Sequence, residues 1–459
     1  MKKLLKNALV IATMNSKKER IESGDILIEN NLIKDVGKGL NATDADQIID
    51  CSGKVILPGF INTHHHFYQT LTRVIPEVQN AKLFDWLTYL YEVWREVTPE
   101  AIYYSAKVAI SELLLTGCTT TTDHLYLFPD KQDPHLIDYE IKAAKEMGIR
   151  FFPTRGSMSL GRSKGGLPPD DVVQSEEKIM QDVERLVNKY HDPSPFSMLR
   201  ISLAPCSPFS ITCDLLKDTV KYAREKGLRC HTHLAETKDE EEFCIEKFGM
   251  RPLAYMESLD WIGEDIWFAH SVYLNSDEIK HLSRIGTGVA HCPCSNLRLG
   301  SGIAPIPEMY NAGVKVGLAV DGSASNDSGD MLGEIRTALL IHRIKDGVDS
   351  TNADMMFDIA TMGGAKVFGW EKSIGSIEPG KAADLAIFNF NRIDYAGCWF
   401  DPVAALVFAG ISHKTDMTIV NGEILVKDGK IINLDEEDVI INANKLSREM
   451  FNRANKRKG

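Results

Sequence analysis

The stretch Val55-Ile56-Leu57-Pro58-Gly59-Phe60-Ile61-Asn62-Thr63-His64-His65-His66-Phe67-Tyr68-Gln69 decides how the rest of the chain is read. Its apolar, β-branched start reads as a buried strand, and it ends in three histidines. Side chains alternate along a strand, so His64 and His66 face one side and His65 the other. Two imidazoles converging at a strand end make half of a first-row metal site. A lone His-x-His is otherwise a polar loop after a core strand. The remaining ligands must therefore come from elsewhere in the chain.

Outward from this stretch, apolar runs recur near residues 55–63, 118–123, 149–154, 198–204, 228–233, 266–270, 287–291 and 315–321. Helical periodicity lies between most of them. The clearest case begins at Thr98, an N-cap, with Pro99 in the first turn and a stop at Gly117. Ser175–Tyr190, Thr212–Lys226 and Gly329–Lys345 behave similarly. Eight strands alternating with helices predict a parallel sheet closed into a (β/α)8 TIM-type barrel, with an open doubly wound sheet as the competing architecture. The two ends read differently. Short strands with Asn30-Asn31, Asn421-Gly422 and Asp428-Gly429 turns occupy the first 57 and last 85 residues. They predict one small β-sandwich domain assembled from both termini: residues 1–57 and 375–459 around a barrel of residues 58–374. The basic end Arg453–Lys458 reads as a solvated tail.

In such a barrel, functional groups sit at the C-terminal ends of the strands. His64 and His66 end the first strand there, Cys230-His231-Thr232-His233-Leu234-Ala235-Glu236 the fifth, Ala269-His270 the sixth and Val320-Asp321 the eighth. This set suits one divalent cation held by His64, His66, His233 and Asp321, with a position left for water. Such a cation lowers the pKa of its water from about 15.7 toward ~7. Glu236, three residues beyond His233, is placed to take the water proton and pass it to a leaving nitrogen. His270 is placed to hold the attacking water or stabilise developing charge. Asp321 thus counts both as ligand and as part of the catalytic group.

With 44% hydrophobic and 25% charged residues, the chain has the composition of a soluble globular protein. Its formal charge of −12, from 52 basic and 64 acidic residues, argues against a nucleic-acid or anionic-membrane partner. No run approaches the ~20 apolar residues of a membrane span. The Lys2–Ala12 segment imitates a signal peptide, but its apolar run is too short, so it reads as a strand. Nine scattered cysteines suggest no disulfide framework, and the expected compartment is the cytoplasm. His291-Cys292-Pro293-Cys294 lacks the second cysteine pair of a zinc site, although His291 and Asn296 end the seventh strand.

The segments Pro58-Gly59-Phe60-Ile61-Asn62-Thr63-His64-x-His66, His233-Leu234-Ala235-Glu236, Ala269-His270, Val320-Asp321-Gly322 and Gly375–Leu385 resemble the amidohydrolase superfamily, and within it the mononuclear aminohydrolase (deaminase) branch. The resemblance implies that His64, His66, His233 and Asp321 are the metal ligands, Glu236 the proton shuttle and His270 the histidine beside the water. Asn62 stands where many relatives carry Asp, at a position that is not a ligand in this branch. Binuclear relatives use a strand-four lysine, which Met198–Pro205 lacks. One divalent metal is therefore expected, zinc first and iron second.

His64–Arg73, Leu83–Leu87, Asp123–Tyr126, Asp321–Asp327 and Asp401–Leu406 resemble the 8-oxoguanine deaminase subgroup. Triazine hydrolases of the hydroxyatrazine type and isoxanthopterin deaminases are neighbours. The implied reaction takes 8-oxoguanine to urate and ammonia; guanine, isoxanthopterin and amino-triazines are the alternative substrates. A non-catalytic scaffold and a binuclear cyclic-amide hydrolase are the competing classes. For a flat heterocycle, Gln69 offers a donor and an acceptor to a lactam edge. Trp86, Trp94, Tyr68 and Tyr126 are candidate walls, and Arg73 and His124 candidate contacts. A small heterocyclic substrate and a homo-oligomer are the expected partners.

Overall fold

The computed structural model describes residues 1–458. Eight parallel strands close into a barrel: Phe60–Asn62, Cys118–Leu125, Arg150–Ser157, Ser202–Pro205, Cys230–Leu234, Ile266–His270, Gly288–His291 and Lys315–Leu318. These coincide with the eight apolar runs. The helix Pro99–Leu115 starts where its capping residues predict, with the Thr98 side chain accepting from the Ala101 N–H. Ser175, Thr212 and Asp330 cap three further helices in the same way.

The run around the first strand does not stay in one sheet. Lys54–Pro58 pairs antiparallel with Leu385–Asn389, whereas Phe60–Asn62 pairs with Cys118–Leu125 in the barrel. The transfer happens at Gly59, where a Cβ would lie 2.1 Å from the Thr119 hydroxyl, so no larger residue fits this crossing. The terminal segments form a mixed nine-stranded sheet whose centre joins Leu385–Asn389, Lys54–Pro58 and Lys2–Ala12. The strand Lys2–Ala12 turns partway along, at a left-handed Asn7, so that its first half pairs with Gln47–Asp50 and its second with Lys54–Pro58.

Terminal sheet and barrel are joined by a buried ion pair. Arg150, at the start of the third barrel strand, donates from Nε and Nη2 to the Asp384 carboxylate at 3.2 Å, and from Nη1 to the carbonyls of Phe196 and Ser197. The chain's basic end is not a solvated tail. Glu436–Lys458 is a helix with Val439, Leu446, Met450 and Ala454 buried. Helical spacing puts Arg453 and Arg457 one turn apart, where both meet Glu96, and Arg457 also reaches Asp171. Among the described residues, no helix is long and apolar enough to cross a membrane.

Removing one partner of a buried pair leaves the other charge uncompensated. Asp384→Ala is expected to lower unfolding free energy by about 3 kcal/mol, read as a lower denaturant midpoint at unchanged slope. A midpoint equal to that of the unaltered chain would show that Arg150 does not need this partner.

Candidate metal centre and active site

His64 and His66 leave the first barrel strand on the same side, as alternation requires, and both are buried. What orients them is a set of hydrogen bonds to the side of each ring away from the mouth. His66 Nδ1–H donates to the His124 carbonyl at 2.8 Å, and His233 Nδ1–H donates to the Cys206 carbonyl at 2.6 Å. His231, two residues before His233 on the same strand face, donates from Nδ1 to the Trp267 carbonyl at 3.0 Å. Its Nε2 therefore accepts from His64 Nδ1–H at 2.7 Å. Each tautomer is assigned by these acceptors. Burial also pushes all three imidazoles of His64, His66 and His233 below their ordinary pKa, so they are neutral.

The consequence is three Nε2 lone pairs aimed into one space. His66 Nε2 and His233 Nε2 lie 3.2 Å apart with no proton between them, and the buried His64 Nε2 has no hydrogen-bond partner. Asp321 Oδ1 lies 3.3 Å from His64 Nε2 and 3.5 Å from His66 Nε2. A tetrahedral cation about 2.0–2.1 Å from each donor sets donor–donor distances of about 3.3–3.4 Å. The residues fit a divalent cation; without one, facing lone pairs would repel. The Asp321 carboxylate is held by Ser295 Oγ at 2.5 Å, Ser325 Oγ at 3.3 Å and the Gly322 N–H at 2.6 Å.

Beside this centre stand two further groups. His270 Nδ1–H donates to Asn296 Oδ1 at 2.9 Å, which leaves Nε2 facing Glu236 Oε2 at 3.6 Å. The backbone before and at Glu236 is pinned by Glu240, whose two carboxylate oxygens accept the N–H groups of Ala235 and Glu236 at 2.8 and 2.9 Å. Burial pushes the Glu236 carboxyl up to about 7 against the pull of His270. A bound cation would draw it down again. Ala235, His270 and Asp321 all adopt left-handed backbone, with φ of 52°, 69° and 62°. Such conformations cost non-glycine residues on the order of 1–3 kcal/mol each, and here they mark the ends of three of the four strands that carry the site.

Above the centre opens a cavity with about 430 Å³ of empty space, counting the solvent at its open side. Its floor holds His66, His233, His270, Glu236 and Asp321, and its polar edge holds Gln69, Ser207 and Ser325. One wall is the helix Leu83–Trp94, which presents Leu83, Trp86, Leu87 and Tyr91 at helical spacing. Phe209 and Leu299 face into the cavity as well, and Tyr126 closes it beside His66.

Of the candidate substrate contacts, Gln69, Trp86 and Tyr126 are at the cavity. Trp94, Arg73, His124 and Tyr68 are not. Trp94 is fully buried, with Nε1 donating to Thr72 Oγ1 and its ring against Tyr68, Trp86 and Tyr91. Arg73 is committed to Glu112 through two bonds of 2.8 and 2.6 Å, the ordinary ion pair. His124 donates from Nε2 to the Ala204 carbonyl and stacks on His233, so it buttresses the centre from behind. Asn296 acts through His270, and His291 is turned away toward His342. Sequence reading alone does not single out His231 or Glu240, which the structure places behind His64 and under Glu236. His231-x-His233 repeats the His64-x-His66 spacing, which was a usable signal; nothing local marked Glu240, Phe209 or Leu299.

Nitrogen and carboxylate donors at tetrahedral spacing in the mouth of a (β/α)8 barrel, beside a buried carboxyl and an open cleft, define a barrel hydrolase with a candidate metal centre. The chain belongs to the amidohydrolase family, which matches over residues 55–425. It is 43% identical over 433 residues to the 8-oxoguanine deaminase of Pseudomonas aeruginosa, covering 94% of this chain and 95% of that one. It is 35% identical to the hydroxydechloroatrazine ethylaminohydrolase of Pseudomonas sp. strain ADP, covering 90% and 89%. The crystal structure of atrazine chlorohydrolase TrzN from Arthrobacter aurescens TC1 complexed with zinc superposes with a TM-score of 0.93 at 34% identity, covering 97% of this chain and all of that one.

His231→Ala removes the acceptor that holds His64 in its ligand tautomer without touching a ligand. It is expected to weaken metal binding about 10–100-fold, measured by competition with a chromophoric chelator. Affinity unchanged within twofold would show that the tautomer is set by the cation alone.

Proposed function

We propose that this protein is a metal-dependent aminohydrolase of a flat amino-heterocycle, converting 8-oxoguanine to urate and ammonia, with zinc as its cation. The observation that carries this reading is the convergence of three bare imidazole nitrogens and Asp321 beside a buried carboxyl, under a cavity walled by Trp86, Tyr91, Tyr126 and Phe209. The 43% identity to a deaminase of that substrate supports the choice of heterocycle. The zinc-bound neighbour supports the choice of metal. The barrel of residues 58–374 is the catalytic unit, and residues 1–57 and 375–459 form one supporting domain. All nine cysteines are unpaired, which suits a reducing cytoplasm.

The roles follow from position. His64, His66, His233 and Asp321 hold the cation, which when bound supplies a water acidified to neutral pH. Glu236 takes the proton of the attacking water and carries it to the exocyclic amine, which leaves as ammonia while a carbonyl forms on the ring carbon. Its burial opposes the downward pull of His270 and of the cation, so the carboxyl can hold the proton between the two transfers. His270, fixed by Asn296, orients the water from the far side of Glu236. Gln69 Oε1 accepts the Ala324 N–H, and the rest of its amide meets the lactam edge of the ring. The helix Leu83–Trp94 covers the ring face with Trp86 and Tyr91 and keeps bulk water out.

Glu236→Gln keeps shape and removes the shuttle. Turnover is expected to fall by about a thousandfold or more with metal content unchanged, read by coupled ammonia release and metal analysis. Brisk turnover in that variant would remove Glu236 from the mechanism. The same assay on 8-oxoguanine, guanine, isoxanthopterin, cytosine and an amino-triazine decides the substrate. Preference for any ring other than 8-oxoguanine would replace it while leaving the chemistry in place.

A further inference from the structure

Two buried acids take no part in holding the cation or in moving its proton. Asp123 lies near the end of the second barrel strand, Cys118–Leu125, and Glu140 on the outer helix Ile137–Met147. Asp123 is 1% exposed and Glu140 0%. The two side chains meet each other. Asp123 Oδ1 accepts the Phe67 N–H at 2.5 Å, whereas Asp123 Oδ2 and both Glu140 oxygens are buried and meet no N–H or hydroxyl donor. Two carboxylates in contact, with no cation beside them, do not both stay ionised; a proton between them removes the repulsion. Burial pushes both carboxyls up, and the Asp123 charge pushes Glu140 further, while the Phe67 N–H holds Asp123 lower. Asp123 is therefore the acceptor and Glu140 the O–H donor.

What the pair holds is the turn that leaves the first strand. Three hydrogen bonds tie this turn to the second strand. The His124 N–H donates to the His65 carbonyl at 2.7 Å, His66 Nδ1–H donates to the His124 carbonyl at 2.8 Å, and the Phe67 N–H donates to Asp123. The Gln69 N–H in turn donates to the His66 carbonyl at 3.1 Å. We propose that Asp123 and Glu140 share one proton and act together as positioning residues, holding His66 and Gln69 against the second barrel strand. An ionised Asp123 accepts the Phe67 N–H more strongly than a neutral carboxyl would. The Glu140 O–H lets Asp123 keep that charge in a site that water does not reach. The positioning role rests on the reading of His66 as a metal ligand; the shared proton does not.

The test compares Glu140→Gln, whose amide still donates to Asp123, with Glu140→Met, which has similar length and no donor. In the metal-loaded, full-length protein at neutral pH, the infrared difference spectrum between the unaltered chain and Glu140→Gln is expected to show loss of one protonated-carboxyl C=O band. Metal affinity, by competition with a chromophoric chelator, is expected to fall about tenfold or more in Glu140→Met and to stay within about threefold in Glu140→Gln. Ammonia release from 8-oxoguanine is expected to follow the same order. Far-ultraviolet circular dichroism reports folding, and the infrared comparison needs only the Gln variant should the Met variant not fold. A difference spectrum without that band overturns the shared proton. Unchanged metal affinity in folded Glu140→Met, or equal losses in the two variants, overturns the positioning role. An unaltered chain that releases no ammonia while the band is present defeats the proposed reaction and leaves the proton pair standing.

Discussion

Every feature of the site rests on where three imidazole protons point. The Nδ1–H groups of His66 and His233 are tied to the carbonyls of His124 and Cys206, and that of His64 to His231, itself tied to Trp267. The carbonyls of His124, Cys206 and Trp267 lie on neighbouring strands or immediately after them, whereas His231 meets His64 from across the barrel. Strand register and barrel closure together therefore fix the tautomers, and the tautomers leave the Nε2 lone pairs to converge. In a closed parallel barrel each strand has two neighbours and no free edge, so the register cannot slip at one position without shifting the rest. A cation then relieves repulsion that the scaffold itself has built in.

Strain at the strand ends belongs to the same logic. Ala235, His270 and Asp321 turn their backbones left-handed as the strands give way to loops, which redirects side chains across the mouth. Glu240, Asn296 and Ser295 hold these turns by hydrogen bonds that fix one functional group each. The helix Leu83–Trp94 completes the cleft. It is braced in turn by the last helix, whose Arg453 and Arg457 reach Glu96 immediately beyond it. The two ends of the chain thus bear on the catalytic mouth through different routes: the terminal sheet from below through Asp384 and Arg150, and the last helix from the side.

Some of this was open to inspection before any fold was known. The eight barrel strands were visible because both faces of a barrel strand are buried, which leaves continuous apolar runs. Their polar endings were visible because a histidine or aspartate directly after such a run has few structural uses. His64, His66, His233, Asp321, Glu236 and His270 all sit in such positions. Arg73 and Trp94 sit close in sequence to the ligands, yet Glu112 captures one and Thr72 and Tyr68 the other. Proximity along the chain said nothing about which neighbour would claim them. The basic end reads as a tail because charge composition hides periodicity: Leu446, Met450 and Ala454 form a narrow stripe within a largely polar helix.

What the sequence by itself determined was the barrel, the terminal sheet drawn from both ends, and the set of histidines and carboxylates gathered at the strand ends. These depend on local pattern: period, strand ends and residue type at fixed spacing. Only the tertiary structure decided which nitrogen of each histidine is free, which side chains wall the cavity, and which of the charged residues near it are already paired. The reason is physical. A tautomer and a cavity wall are properties of groups brought together across hundreds of residues, and no local pattern encodes which carbonyl a given N–H will meet.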